Sequence, residues 1–263
     1  MSAPPFAILP PPSETKSTGG DGPPLRLDAL AFDDELGGVR KQLVDAVSTL
    51  AVDRPASRAA LGLSERQDDQ IALNTELWTS PTLPALRRYT GVLYDALDYR
   101  SLTAAARRRA QESLLVGSAL FGVVRGGDPV PAYRLSAGSV LPGIGALPAL
   151  WRRRLAAALA GFDGLVLDLR SSAYVGLGPV PHAVTVRVLS VRPDGSRGIV
   201  SHFNKHHKGV LVRTLLTSRS TPRDLRSLVR IIGRAGIAAE QSGPRRVDVL
   251  VPAESVAATR VRS

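Results

Sequence analysis

The 263-residue chain has no cysteine, and its single methionine is Met1. Disulfides, thiolate metal sites, iron–sulfur clusters and thiol redox sensing are thereby excluded, as is switching through methionine sulfoxide. No run of about 18 apolar residues is present to span a bilayer, and the N-terminal stretch lacks the charged, apolar and small-residue regions of a secretory signal. The expected location is cytoplasmic, with no membrane partner. Aromatic residues make up only 5%, yet 44% of the chain is hydrophobic, enough to fill the core of one domain over 1–263 with a frayed tail from about 253.

Lysine and histidine are scarce as well. Of 34 basic residues, 30 are Arg, and the four lysines are Lys16, Lys41, Lys205 and Lys208. Lysine is a compact, strongly hydrated donor whose pKa falls when it is buried, whereas Arg stays charged, so the surviving lysines mark places that call for an ammonium specifically. Three of the four histidines, His202, His206 and His207, stand beside Lys205 and Lys208.

The net charge of +11 is unevenly distributed. Residues 1–100 carry 10 basic and 14 acidic groups, a net of −4, whereas residues 101–263 carry 24 and 9, a net of +15. Such asymmetry is the electrostatic footprint of a polyanion binder, because each neutralised phosphate releases counterions. An Arg excess in an Ala-, Gly- and Pro-rich chain also follows from a GC-rich genome, so charge alone does not separate the two readings.

The element pattern is mixed. Phe6–Leu9 reads as a strand entering a Pro-rich turn. Asp33–Leu50 reads as a helix with an acidic first turn, followed by shorter helices over 55–61 and 68–77 and a helix over 103–111. A buried strand is expected over 113–118 and a turn of helix over 120–124, then a helix over 148–159 and a strand over 164–169. A hairpin around Pro193–Ser196, helices over 208–217 and 222–232, and a closing strand over 247–251 complete the pattern. Strands interleaved with helices predict an α+β (mixed α/β) domain, a mixed central sheet flanked by helices.

Three segments carry candidate chemistry. Ser13, Glu14 and Lys16 follow the first strand, where open sheets place ligands, and their hydroxyl, carboxylate and ammonium suit a phosphate or a catalytic water; the alternative is a solvated Pro-rich turn. The segment 201–209 gathers Lys205, Lys208 and Gly209 at a strand-to-helix junction suited to an anion, with His202, His206 and His207 as weaker metal candidates lacking the usual zinc spacing; the alternative is a solvated basic turn. Leu141–Gly145 resembles a helix-hairpin-helix turn in which the Gly143 and Gly145 amides meet a DNA phosphate, followed by Arg152, Arg153 and Arg154; the alternative is an ordinary Pro-Gly loop, because 133–140 before it reads as extended rather than helical. Tyr133, Arg134, Asp168, Ser171 and Tyr174 lie at or near strand ends, where a buried Tyr or Arg needs a partner in any fold. No Ser-His-Asp triad, Walker loop or dinucleotide fingerprint is present.

Seven motifs occur in order: Pro11-Pro12-Ser13-Glu14-x-Lys16, Tyr89-Thr90-Gly91, Ser118-x-Leu120-Phe121-Gly122-Val123-Val124-Arg125, Pro131-x-Tyr133-Arg134-Leu135, Leu150-Trp151, Asp168-Leu169-x-Ser171-x-x-Tyr174 and Lys205-x-x-Lys208-Gly209. Together they resemble the YaaA peroxide-stress family over nearly the whole chain. His206-His207-Lys208, where an Ala-Arg pair is frequent, and the Gly143-Ile144-Gly145 insert depart from its pattern. The resemblance implies a single mixed domain with a basic cleft, binding of double-stranded DNA with little sequence preference through a helix-hairpin-helix-like element, and limitation of iron and peroxide damage.

The leading expectation is therefore a non-enzymatic DNA-binding protein without a cofactor, its cleft lined by Lys16, Arg134, Lys205, Lys208 and Arg152–Arg154. The rival is an enzyme on a nucleotide or other phosphorylated small molecule, using Ser13, Glu14, Lys16, Tyr133, Asp168 and Lys205. A third reading is iron binding by the histidines.

Overall fold

The computed structural model describes residues 5–200 and 203–253; His202 and the expected frayed tail beyond 253 lie outside them. The first half runs β1 (Phe6–Leu9), β2 (Gly22–Pro24), α1 (Asp33–Leu50), α2 (Arg54–Leu61), α3 (Asp68–Thr75), β3 (Pro81–Pro84), α4 (Ala85–Arg88), α5 (Val92–Leu97) and α6 (Ala104–Ser113). Next come β4 (Leu115–Ser118), β5 (Gly122–Arg125), β6 (Pro129–Val130), β7 (Val140–Leu141), β8 (Gly145–Ala146), α7 (Leu147–Ala160), β9 (Leu165–Asp168) and α8 (Ser172–Leu177). The chain closes with β10 (Val184–Val191), β11 (Arg197–Ile199), α9 (Asn204–Thr217), α10 (Leu225–Arg234), β12 (Ala238–Gly243) and β13 (Arg246–Pro252).

The central sheet is mixed, as the interleaved pattern predicts, with strand order β1-β9-β10-β13-β12. β1, β9, β10 and β13 are mutually parallel, in register Ile8↔Leu167, Thr185↔Asp168 and Val188↔Val249, and β12 closes the edge antiparallel to β13. β9 pairs with Val184 and Thr185 of β10; further along, β11 takes up Leu189–Val191. On the far side of β1, a parallel bridge Ile8↔Leu114 and the bond from Gly117 N to Pro10 O (3.1 Å) seat the β4–β5 hairpin. All four residues of β1 are therefore buried.

The hairpin corrects the expected turn of helix over 120–124. Ser118 pairs with Gly122, and the return needs the left-handed φ of +73° that Gly122 adopts. A Cβ there would lie 2.8 Å from the Trp151 ring, so the same glycine lets α7 pack on the turn. The turn is fixed from both sides: Trp151 Nε1 donates to Ala119 O (2.9 Å), and the buried Arg40 of α1 donates to Phe121 O and Val123 O (3.1 and 2.8 Å).

The helix-hairpin-helix expectation is also corrected. Leu141 pairs with Gly145 and Val140 with Ala146, so Gly143 and Gly145, at φ +73° and +83°, form the turn of a minimal β-hairpin that leads directly into α7. The stretch 131–139 before it contains no helix. Among the described residues no helix is long and apolar enough to cross a membrane.

Candidate functional site

The carboxyl ends of the adjacent parallel strands β1 and β9 deliver two loops to one place, Pro10–Lys16 and Leu169–Ser171, where open α/β sheets expose ligand sites. The first loop is held down firmly. Tyr94 Oη donates to Pro11 O (2.8 Å), Lys16 bridges to Tyr89, and Thr90 Oγ1 donates to Thr15 Oγ1 (3.2 Å). Gly91, at φ +93°, brings its backbone so close that a Cβ would stand 3.2 Å from Ser13 Oγ.

Two open depressions flank this loop and share Pro11, Pro12, Glu14 and Lys205. One is completed by Ser13, Thr15 and Thr90–Tyr94. The other is completed by Leu169, Ser171, Tyr174, Asn204 and Lys208. Helix α9 begins at Asn204 rather than at 208, so Lys205 stands exposed in its first turn and Lys208 one turn further on. Lys208 Nζ donates to Leu169 O (3.0 Å) at the exit of β9, and burial pulls its pKa down against the opposing pull of Asp168. Asn204 Oδ1 is buried without a partner beside this depression.

Lys16 has a different environment from the one a phosphate contact would give it. Its side chain is half-buried, its Nζ donates to Ser13 O and Glu14 O (3.0 and 3.4 Å), and the nitrogen lies 4.2 Å from the Tyr133 ring centroid and 5.5 Å from that of Tyr89. Desolvation is the largest influence on it; Glu14 opposes, while Arg134 and Arg88 reinforce, and the pKa comes down to about 7. Beneath it the hydroxyls of Tyr89, Tyr133 and Ser118 form a buried chain at 2.9 and 2.8 Å. Burial raises both tyrosine pKa values, so neither supplies an anion to pair with Lys16.

Other sequence candidates serve the framework. Asp168 and Arg170, with side chains 5% and 3% exposed, form a bidentate pair at 2.9 and 2.7 Å. Arg170 also reaches Gly178 O (3.0 Å), so Asp168 secures the β9–α8 corner. Arg134 turns to Glu14 (3.0 Å), while its backbone exchanges two 2.8 Å hydrogen bonds with the Asn74 amide. Gly209, expected at a phosphate, is instead where α9 touches α5: a Cβ would clash with Leu93 O.

The structure does not gather every candidate. Arg153 and Arg154 line a separate depression on α7 with Leu150, and Arg152 is exposed next to them. His206 and His207 stack edge-to-face at 5.5 Å, and burial together with His206 pushes the His207 pKa down. Among the described residues no three His, Cys, Asp or Glu side chains gather to hold a metal. Thr90, Tyr94 and Asn204 also line the site, although the sequence alone does not mark them for it. Their signal was present in part, since the Tyr89-Thr90-Gly91 motif and the aromatic spacing at 89, 94 and 99 are visible in the sequence.

Comparison with known proteins matches residues 6–233 to the family model described as peroxide stress protein YaaA. A UPF0246 protein of Corynebacterium efficiens is 48% identical over 243 residues, covering 91% of this chain and 96% of its own. Another, from Streptomyces coelicolor, is 44% identical over 254 residues, with coverage of 93% and 98%. With strand-end loops, paired depressions and family motifs coinciding along almost the entire chain, the protein belongs to the peroxide stress protein YaaA family.

Proposed function

We propose that the protein works in the peroxide response by binding double-stranded DNA with little sequence preference, and that this binding limits iron- and peroxide-driven damage. The observation that carries the reading is Lys205, an exposed ammonium in the first turn of α9, set between two open depressions at the strand ends. The site is open rather than enclosed, which suits a phosphate backbone passing across it. Its position in the +15 portion of the chain adds long-range attraction. Lys208 supports the site from the second depression, whereas Lys16 and Arg134 face protein groups and leave the phosphate contacts to α9.

Duplex affinity measured across a salt series is the test. Log K should fall by roughly 0.9 per phosphate contact for each tenfold rise in salt, and Lys205→Gln should weaken binding and flatten the slope by about one contact. Salt-independent or absent duplex binding defeats the reading. Protection of supercoiled DNA from nicking by ferrous iron and peroxide, compared between wild type and Lys205→Gln, tests the second half.

The rival reading, an enzyme on a phosphorylated small molecule, is favoured by one observation. Lys16 carries a strongly lowered pKa next to a depression lined by hydroxyls and a carboxylate.

A further inference from the structure

The two strand-end depressions differ in how far their polar groups are satisfied. In the first, the hydroxyls bond one another: Ser13 Oγ lies 3.1 Å from Thr15 Oγ1, which also accepts from Thr90 Oγ1 (3.2 Å). In the second, the side chains of Ser171, Asn204 and Lys205 make no hydrogen bond or ion pair among the described residues. Ser171 stands at the N-cap of α8, yet its hydroxyl does not cap that helix. Lys208 gives one of an ammonium's three N–H donors to Leu169 O (3.0 Å) and keeps two. Asn204 Oδ1 is buried without a partner, although a buried side-chain oxygen in a folded protein is nearly always paired. The unsatisfied groups of the second depression point to a ligand that completes them.

Charge and size select that ligand. Lys205 and Lys208, two of the four lysines, both line the depression, while Glu14 on its wall is paired with Arg134 at 3.0 Å. Two ammonium groups and a hydroxyl match a terminal phosphate, which carries about two negative charges and three acceptor oxygens at neutral pH. A carboxylate or a backbone phosphodiester brings a single charge and leaves donors unused. The volume, about 300 Å³, is at the small end of ligand sites, so a phosphate bearing a few carbons enters where a duplex can only pass across. Asn204 Oδ1 is an acceptor, so the group beside the phosphate must be a donor, as a hydroxyl is.

We propose that the second depression binds the phosphate monoester of a hydroxyl-bearing small molecule, a sugar phosphate, its phosphate held by Lys205, Lys208 and Ser171 and one of its hydroxyls donating to Asn204 Oδ1. The inference rests on the strand-end site described above and not on duplex binding there, and it gives the small-molecule reading a ligand class. The place is the one that parallel sheets offer: Leu169 and Ser171 follow β9, Pro11 and Pro12 follow β1, and the ligand sits beyond the carboxyl ends of both strands. The same monoester chemistry has a second source, the terminal phosphate of a DNA strand, which reaches the depression as a chain end.

The test is titration calorimetry of the full chain with ribose 5-phosphate, inorganic phosphate and ribose, and with duplexes that differ only in carrying 5′-phosphate or 5′-hydroxyl ends. Ribose 5-phosphate should bind saturably and about fivefold more tightly than inorganic phosphate, the gain from a hydroxyl paired with Asn204, and ribose should give no binding. Lys208→Gln should weaken ribose 5-phosphate by about ten- to a hundredfold, as expected for losing a hydrogen bond to a charged group. Asn204→Ala should narrow the gap between ribose 5-phosphate and inorganic phosphate. Arg226→Gln with Arg230→Gln, which removes two exposed charges from α10, should leave the sugar phosphate bound. Tighter binding of ribose 5-phosphate assigns a small-molecule source, and a preference for phosphorylated duplex ends without it assigns a DNA terminus. Ribose 5-phosphate no tighter than inorganic phosphate, together with duplex ends that bind alike, overturns the proposal, as does sugar-phosphate binding that survives Lys208→Gln. The comparison among ligands uses wild-type protein, so a misfolded variant would not obscure the outcome. The 5′-hydroxyl duplex, followed across a salt series, scores the DNA reading separately.

Discussion

At the residue scale, the four lysines have four different environments, which the sequence marked only as rarity. Lys41 forms an exposed i,i+4 pair with Asp45, Lys205 faces solvent, Lys208 anchors to a carbonyl, and Lys16 lies over tyrosine rings. Only Lys16 combines desolvation with two repelling guanidinium groups, and this makes stability depend on pH in a defined direction. Its folded pKa, about 7, lies below the 10.5 of an unperturbed lysine. Between those values the unfolded chain holds more protons than the folded one, so the destabilisation is fully present below pH 7 and is relieved as pH rises towards 10.5. Replacing the group by Lys16→Met removes this term. The stability of wild type relative to Lys16→Met, measured by urea unfolding at pH 6, 8 and 10, should therefore improve steadily with pH. A difference that stays constant over this range would show that the amine titrates normally in the fold.

At the element scale, what was legible depended on how regular each segment's surroundings are. β1, α1, α6, α7 and β9 are visible in sequence because apolar period, caps and turn residues agree; Thr103 caps α6 at Ala106 N, as its position before the helix suggests. Leu120–Val124 gives no hairpin signal in sequence because an uninterrupted apolar run has no period, and the Trp151 and Arg40 contacts fix the turn. β12 leaves no signal in sequence because Ala-Ala-Glu-Gln-Ser is a partly exposed edge with little β propensity, held by its pairing to β13. α10 begins at Leu225 rather than at Pro222 because the Asp224 carboxylate accepts from Ser227 N (2.7 Å). The start of α9 is not legible in sequence because Asn204–Lys208 is wholly polar, and the reason for Gly209 lies in another helix. α5 presses against α9 there, and Gly209→Ala should lower unfolding free energy by about 1–3 kcal/mol through overpacking against Leu93. Because α9 carries Lys205, the same change should shift duplex affinity; unaltered stability would mean that α5 and α9 do not approach this closely.

At the scale of the whole molecule, the charge asymmetry seen along the sequence becomes separate surfaces. Asp28, Asp33, Asp34 and Glu35 gather around the start of α1, while Arg219, Arg223, Arg230 and Arg234 line a depression along α10, with Arg226 exposed on the same helix. Arg153 and Arg154 form a further basic area on α7. Exposed cations on several faces would attract any polyanion, and attraction alone does not define a site. The distinction is energetic. A diffuse field gives every exposed cation a similar small share, whereas a docked duplex concentrates its phosphate contacts, each of which adds to the salt slope. Removing Lys205 takes one charge from the strand-end site; the double change Arg226→Gln with Arg230→Gln takes two from α10, where both are exposed and lie outside the loops delivered by β1 and β9. If the duplex sits at the strand ends, Lys205→Gln lowers affinity more per charge than the α10 double variant, and the difference persists at 0.2 M salt, where the Debye length has shrunk below about 8 Å. Equal losses per charge that vanish together with added salt would instead describe a protein that holds DNA by its field alone, with the depressions around Pro11–Glu14 left to a small-molecule ligand.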